Sequence, residues 1–411
     1  MKKKLVATLM AAAMVLTACS GGGAAPAPAA SSAASEAASE AADAASTEAA
    51  APAEASTEAA PAEGGDADMK VAMVTDYGDI TDQSFNQTAY EASKAFCDAN
   101  GLEFNYFKPA GDADAERVAM IDAAVAEGYN VLVLPGFAFA NAIYETAPMY
   151  PDVKFVALDI SEGDLTAYGE REFDADNVFS AVYQEELSGY MAGYAAVKLG
   201  YTKLGFLGGM AVPAVIRYGY GFVEGADDAA AELGADVTIE YAYGNQFFGD
   251  ADITAAMDTW YGAGTEVVFA AGGSIYSSAC EAAQKTGGKV IGVDVDQAPI
   301  IDGQYGEGMT VTSAMKGLAE TVNTLLQAIY DGNWGEYAGK VENLGMVSAD
   351  DPSANYVQLP ASTQFGDGFT EDDYKDLVAK IANGEITVSN DTEPAEPPAE
   401  NVTVNFLGNL K

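Results

Sequence analysis

The chain contains no histidine. That absence removes Ser-His-Asp and Cys-His nucleophilic machinery, histidine-ligated zinc and imidazole proton shuttles together, and most hydrolase chemistry with them. Carboxylate-only catalysis such as glycoside hydrolysis stays formally open, but with 62 acidic residues chance carboxylate pairs are plentiful. Cysteine is scarce: only Cys19, Cys97 and Cys280 occur. Cys97 and Cys280 fall in Ala-rich helical patterns (YEASKAFCDAN and SSACEAAQK) and are expected as buried free thiols in different lobes, because a disulfide needs their Cα atoms within about 6 Å. Basic residues are few, 19 against 62 acidic, for a formal charge of −43. Such a surface repels nucleic acid and anionic lipid, so neither is an expected partner.

The ends of the chain carry no core-forming pattern. Lys2, Lys3 and Lys4 precede an apolar run from Leu5 to Leu16 that is too short for a transmembrane helix and reads as a secretory signal over residues 1–18. It runs into Leu16-Thr17-Ala18-Cys19, which resembles the lipobox of bacterial lipoproteins. That motif implies a diacylglyceryl group on Cys19 as the first residue of the mature chain, and two acyl chains give stable anchoring where one does not. Residues 19–68 then collapse to Ala, Ser, Glu, Pro, Thr and Gly and read as a disordered tether. As a flexible coil it spans about 40 Å, enough to hold a domain off a membrane. Residues 391–411 open with Pro-rich, acidic DTEPAEPPAE and read as a tail peripheral to the fold.

Between them lie too many residues for one core, so two lobes are expected. Strand-like apolar runs alternate with amphipathic helical stretches: Met69 to Thr75, Leu102 to Phe107, Asn130 to Leu134, Lys154 to Leu158 and Val178 to Tyr183, then Lys203 to Leu207, Val237 to Tyr243, Glu266 to Ala270 and Lys289 to Val293. This is the signature of βαβ units around parallel sheets, an α/β class, with a break near Tyr183 to Gly189. Glycine turns at Gly205 to Gly209 and at Gly272-Gly273 match neither dinucleotide nor Walker patterns, and no cofactor is called for. The loop Asp76 to Asn86 (DYGDITDQSFN) packs carboxylates, an aromatic ring and an amide at the carboxyl end of a strand, where open α/β sheets place ligands. Within it, Asp79 and Asp82 are expected to shape the turn and cap the following helix.

The chain resembles the basic membrane lipoprotein (BMP) family, whose best understood members are purine-nucleoside receptors of ABC transporters. The resemblance rests on VTDYGDITDQSFNQTAYEASKAF at Val74, YPDVKFVALD at Tyr150, KLGFLGGMAVPAVIRYGYGFVEG at Lys203, AAGGS at Ala270, VIGVDVDQ at Val290 and TSAMKG at Thr312. It implies the type I periplasmic-binding-protein fold, two doubly wound lobes joined by three crossovers around a central ligand cleft. The implied boundaries are 69–186 plus 315–339 for the first lobe and 187–314 plus 340–390 for the second. The family's first motif usually carries lysine where this chain has Gln83.

Residue by residue, the resemblance assigns Asp76 and Asn86 to polar contacts and Phe85 to stacking on a purine. Asp159 would accept hydrogen bonds from the base edge, and Phe248 in QFFGD would be the second aromatic of a sandwich, with Phe247 leaving that register open by one. Gly272 would allow close backbone approach, and Asp294 and Lys316 would hold the ribose hydroxyls. Asn141 and Asn245 are further candidates for reading the base edge. The implied function is not enzymatic: a lipid-anchored receptor on the extracytoplasmic face of the cell membrane captures purine nucleosides and delivers them to the permease of an ABC importer. A binding protein for a sugar or other small polar solute, or a ligand-sensing surface lipoprotein without a transport role, are the alternatives.

Overall fold

Alternation of β-rich apolar runs with amphipathic helices gives two mostly parallel sheets. The computed structural model describes residues 65–76, 78–167 and 174–411. The leader, Cys19 and the tether through residue 64 lie outside the described residues. By their internal contacts, the described residues fall within one unit.

The first series runs β1 (Lys70–Val74), α1 (Phe85–Asn100), β2 (Glu103–Phe107), α2 (Asp114–Ala126), β3 (Val131–Pro135), α3 (Ala140–Thr146), β4 (Lys154–Leu158), α4 (Glu162–Thr166) and β5 (Val178–Tyr183). The chain leaves through α5 (Glu185–Lys198) into β6 (Lys203–Gly208), α6 (Pro213–Leu233), β7 (Val237–Tyr243), α7 (Ala251–Ala263), β8 (Val267–Ala271), α8 (Tyr276–Thr286), β9 (Lys289–Asp294), α9 (Ala298–Tyr305) and β10 (Thr310–Lys316). It then returns in α10 (Leu318–Tyr330), which packs on α1, and β11 (Val341–Leu344), and finishes with β12 (Val357–Gln358), α11 (Glu371–Ala382) and β13 (Val402–Asn409).

The sheet orders are β11-β5-β4-β3-β1-β2 and β12-β10-β9-β8-β6-β7-β13. Stripped of their last-joined edges, the two are the same doubly wound order, so β4 and β9 are equivalent strands. The period-two geometry of a strand buried on both faces is visible in β1: Val71 and Met73 join the core that contains Ala89 and Phe96 of α1, while Ala72 and Val74 join the one that contains Ile121 and Ala124 of α2. The first of these cores continues through Tyr183, Leu187 and Tyr190 into Phe206 and Phe269 of the second sheet and Phe222 of α6. Helices α5 and α6 approach backbone to backbone. A Cβ at Gly193 would lie 2.0 Å from the Phe222 carbonyl oxygen, and one at Gly225 would lie 2.0 Å from that of Tyr190. This close seam fixes the first turn of α5, at the crossover, against the start of α6.

The boundaries differ from the expectation at two places. Strand β11 pairs with β5 in the first sheet, Val341 opposite Ser180 through Leu344 opposite Tyr183, so the last crossover comes after Leu344 and not near Gly339. Residues 391–411 are also not peripheral: β13 pairs in parallel with β7 and extends the second sheet. The physical reason is local. The buried Asp227 carboxylate accepts the backbone N–H groups of Glu400, Asn401 and Val402 and the Asn401 amide, and Phe406 packs its ring against Tyr241. The acidic Pro-rich stretch masked an uncharged strand, VTVNFLGN, that follows it. Cys97 in α1 and Cys280 in α8 are both buried and free.

Candidate functional site

A cleft with about 680 Å³ of atom-free space, part of it open to solvent, lies where strands of both sheets end. Its lining comes from the carboxyl ends of strands, the position a doubly wound fold leaves free for ligands. From the first sheet come Asp76 after β1, Gly136 and Phe137 after β3, Asp159 after β4, and Asp82, Phe85 and Asn86 at the start of α1. From the second come Gly272 after β8, Asp294 ending β9, Lys316 ending β10, Phe247 after β7, and Val212 to Val215 with Tyr218 at the start of α6.

The loop at Asp76 is held by its own polar groups. Asp76 accepts from the Gly78 N–H at 3.0 Å and the Asn86 amide at 3.1 Å. Asp82 takes the N–H groups of Ser84, Asn86 and Gln87, capping α1 as expected, and burial pushes its carboxyl up to about 6. Asp79 bonds Thr81 and pairs with Lys108 at 2.6 Å, outside the cleft. Gly136 has φ +119°, and a Cβ there would stand 2.2 Å from Asp76 Oδ2, so only glycine leaves Asp76 in place.

Seven of the eight residues expected at the site line the cleft: Asp76, Phe85, Asn86, Asp159, Gly272, Asp294 and Lys316. Phe248 does not. It is 55% exposed, and its neighbour Phe247 takes the position instead. The register is decided by the bed beneath the ring: a Cβ on Gly209 would meet Phe247 Cδ1 at 2.5 Å and one on Gly272 would meet it at 3.0 Å, so two glycines make the room that Phe247 fills. Asn141 bonds Asp114, Asn245 is exposed, and neither lines the cleft.

The charge centre is Lys316, whose side chain is 2% exposed. Its Nζ lies 2.6 Å from Asp159 Oδ2, 3.3 Å from Glu185 Oε1 and 3.9 Å from Asp294 Oδ1. It also sits 4.6 Å from the centre of the Phe85 ring, covering one face. Burial works to discharge this ammonium, but Asp159, Glu185 and Asp294 outweigh it and hold it charged. Burial pushes the Asp159 carboxyl up to about 7 against the pull of Lys316, and raises Asp294 as well. Asp294 also accepts from the Ser84 hydroxyl and from Tyr218 Oη at 3.3 Å, and Gln297 Nε2 donates to the Gln83 carbonyl at 2.9 Å. These bonds join α1's leading loop to the second sheet across the mouth of the cleft. Gln83 is therefore half-buried and engaged there through its backbone, at φ +57°.

What the cleft offers a ligand is acceptors. Asn86 Oδ1 and Asp159 Oδ1 are buried and have no hydrogen-bond partner within the protein. Its cation is already shared among three carboxylates. Tyr218, Phe137 and the Val212 to Val215 turn were not singled out from the sequence. A signal for the site's symmetry was present in KFVALD (154–159) and KVIGVD (289–294), which place Asp159 and Asp294 at equivalent strand ends, both with positive φ, 62° and 66°.

Two doubly wound sheets with a strand-end cleft between them define the two-lobed type I periplasmic-binding fold. An ABC transporter solute-binding protein of Aeropyrum pernix shares that fold at a TM-score of 0.63 and 20% identity, over 80% of this chain and 94% of that one. The chain belongs to the Bmp family, ABC transporter substrate-binding protein PnrA-like, whose model matches residues 69–358. Its relatives include the ABC transporter nucleoside-binding protein BmpA of Lactococcus lactis, 27% identical over 78% of this chain and 89% of that one. The CD4+ T-cell-stimulating antigen of Listeria monocytogenes is 31% identical over 56% of this chain and 64% of that protein. The family is one of solute-binding proteins and not of enzymes. Among the described residues, no helix is long and apolar enough to cross a membrane.

Proposed function

We propose that this chain is a lipid-anchored receptor that captures purine nucleosides between its two lobes on the extracytoplasmic face of the membrane and delivers them to an ABC permease. The observation that carries the reading is the composition of the cleft: one phenylalanine from each lobe, Phe85 and Phe247, beside buried acceptors on Asn86 and Asp159 that have no partner within the protein. A purine presents two π-faces and edge N–H groups, and ribose presents hydroxyls. Rings and acceptors of this kind suit those groups. In this arrangement the base stacks on the face of Phe85 that Lys316 does not cover, with Phe247 on its other side. Asp76, Asn86 and Asp159 accept from donors of the ligand, Asp294 and Lys316 stand nearest the sugar hydroxyls, and Gly272 keeps the second ring low. The relative named as a nucleoside-binding protein supports the same ligand class.

The anchor follows from the lipobox-like Leu16 to Cys19 and the tether behind it. Lobe closure then gives the permease a liganded shape to recognise. Calorimetry of the purified protein with inosine, guanosine and adenosine tests the ligand class: saturable binding of at least one is expected, and no heat with any of them overturns it. Mass spectrometry of the mature N-terminus tests the anchor, which requires a diacylglyceryl mass on Cys19.

A further inference from the structure

Glu185 is fully buried, lines no part of the cleft, and is the first residue of α5, where the chain crosses from the first sheet to the second. Its two carboxylate oxygens are divided. Oε1 lies 3.3 Å from Lys316 Nζ, and Oε2 accepts from Arg217 Nε at 2.7 Å. Arg217 stands on α6 one residue before the cleft-lining Tyr218, and the glycine seam holds the backbone beside Glu185 close to α6: a Cβ on Gly221 would lie 2.1 Å from the Glu186 carbonyl oxygen. A carboxylate is costly to bury without cations and hydrogen bonds, and this one has both.

We propose that Glu185 is a positioning residue of the ligand cleft: by drawing Lys316 toward the crossover it stops the ammonium from occupying both oxygens of Asp159, and so leaves Oδ1 as a free acceptor for the ligand. The geometry fits. Lys316 bonds Oδ2 of Asp159 at 2.6 Å while Oδ1 of the same carboxylate has no partner within the protein. An ammonium has three donors, and without the pull of Glu185 only Asp294, at 3.9 Å, draws it away from bridging both oxygens. The ligand-binding part of this inference rests on the nucleoside reading; the control of Asp159 does not.

The groups that act on Asp159 are Lys316 from β10, Glu185 from α5 and Arg217 from α6, with Asp294 sharing Lys316 from β9. Glu185 repels a charged Asp159, so Glu185→Gln removes repulsion and releases Lys316 toward it. Both effects lower the Asp159 midpoint.

The test has a ligand-free arm and a ligand arm, on the full protein. In the first, the Asp159 carboxyl is titrated by carbon-13 NMR, its signal assigned by loss in Asp159→Asn. E185Q is expected to move the midpoint down by about one pH unit, while Glu186→Gln leaves it in place. In the second, calorimetry with inosine at a pH where Asp159 is ionised in both proteins should show E185Q weaker by about tenfold. Should E185Q fail to fold because Arg217 keeps only its 3.9 Å approach to Glu186, the double variant E185Q/R217Q is read against R217Q alone, since Arg217 by itself lowers the Asp159 midpoint, and the same downward step is expected between those two. An unmoved Asp159 midpoint overturns the proposal whether or not inosine binds. A moved midpoint with unchanged inosine affinity overturns the positioning role. If wild type does not bind inosine, the ligand arm is run with whichever of guanosine and adenosine it does bind; if it binds none of the three, the nucleoside reading fails, and the NMR arm alone decides whether Glu185 sets Asp159.

Discussion

Phe247 and Phe248 are adjacent and chemically identical but oppositely placed, so replacing each by alanine is a matched test of the cleft. Phe247 lines the cleft on a bed of Gly209 and Gly272, whereas Phe248 is 55% exposed and engages Ser274 through a backbone bridge. A base stacked on an aromatic side chain gains about 1–3 kcal/mol. At about 1.4 kcal/mol per decade, Phe247→Ala should weaken nucleoside binding roughly 5- to 150-fold. Phe248→Ala removes a ring with no place in the cleft and should change affinity by about twofold at most, as exposed substitutions do. Isothermal calorimetry with inosine, run on both variants and wild type at one pH, measures the difference. Thermal unfolding checks that Phe247→Ala has not loosened the second lobe. The reasoning is refuted if a folded Phe247→Ala protein binds within about twofold of wild type, or if Phe248→Ala is the more damaging change.

Phe85→Ala should cost a nucleoside about tenfold or more, while any binding of free ribose should hardly change. Equal losses for both would favour the sugar-binding alternative. Because a ligand N–H or O–H prefers the ionised Asp159, the bound form holds fewer protons than the free form. Affinity should therefore rise with pH through about 7 and fall below it by up to about tenfold per unit; calorimetry showing a flat profile between about pH 6 and 8 would contradict this. Ending the chain at Asn390 strips Asp227 of four donors and bares the edge of β7. Differential scanning calorimetry should show Tm lower by about 5 °C or more, with nucleoside affinity unchanged because nothing removed lines the cleft.

Much of the fold was legible because its signals are local. Runs such as VAMV, LVLP and FVAL are buried on both faces and need no partner to be recognised as parallel strands. The loop at Asp76 declared itself by carboxylates at a strand end. What the sequence hid depends on three-dimensional neighbours. Phe247 and Phe248 cannot be told apart without the glycines beneath them, which lie 38 residues upstream and 25 downstream of Phe247. Glu185 and Arg217 look like an ordinary helix start and an ordinary solvated cation until the α5–α6 seam buries them together. The strand β13 sits behind a Pro-rich acidic stretch whose composition argues for disorder, and its anchor is a single aspartate in α6.

The repeated architecture creates a charge problem whose solution bears on the ligand. Equivalent strands β4 and β9 each end in an aspartate with positive φ, a conformation that costs on the order of 1 kcal/mol or more and that Asp tolerates better than most residues. Both carboxylates face one cleft, with Asp76 and Asp82 beside them. Bringing the sheets together therefore accumulates like charge on side chains only 10% and 6% exposed, Asp159 and Asp294, where repulsion is stronger than in water. Lys316 ends β10 where the chain returns to the first sheet, so it can reach carboxylates from both. One ammonium offsets part of the repulsion, and protonation of Asp159 near neutral pH offsets more. The remaining deficit is of hydrogen-bond donors. A phosphate-bearing ligand would add charge of the wrong sign, and a ligand rich only in carbonyls would add acceptors where acceptors are already in excess. An uncharged molecule with N–H and O–H groups spread along its length, and flat faces to lie between Phe85 and Phe247, relieves the deficit without disturbing Lys316. On that ground the cleft's own electrostatics, independent of any relative, favour a nucleoside over its nucleotide.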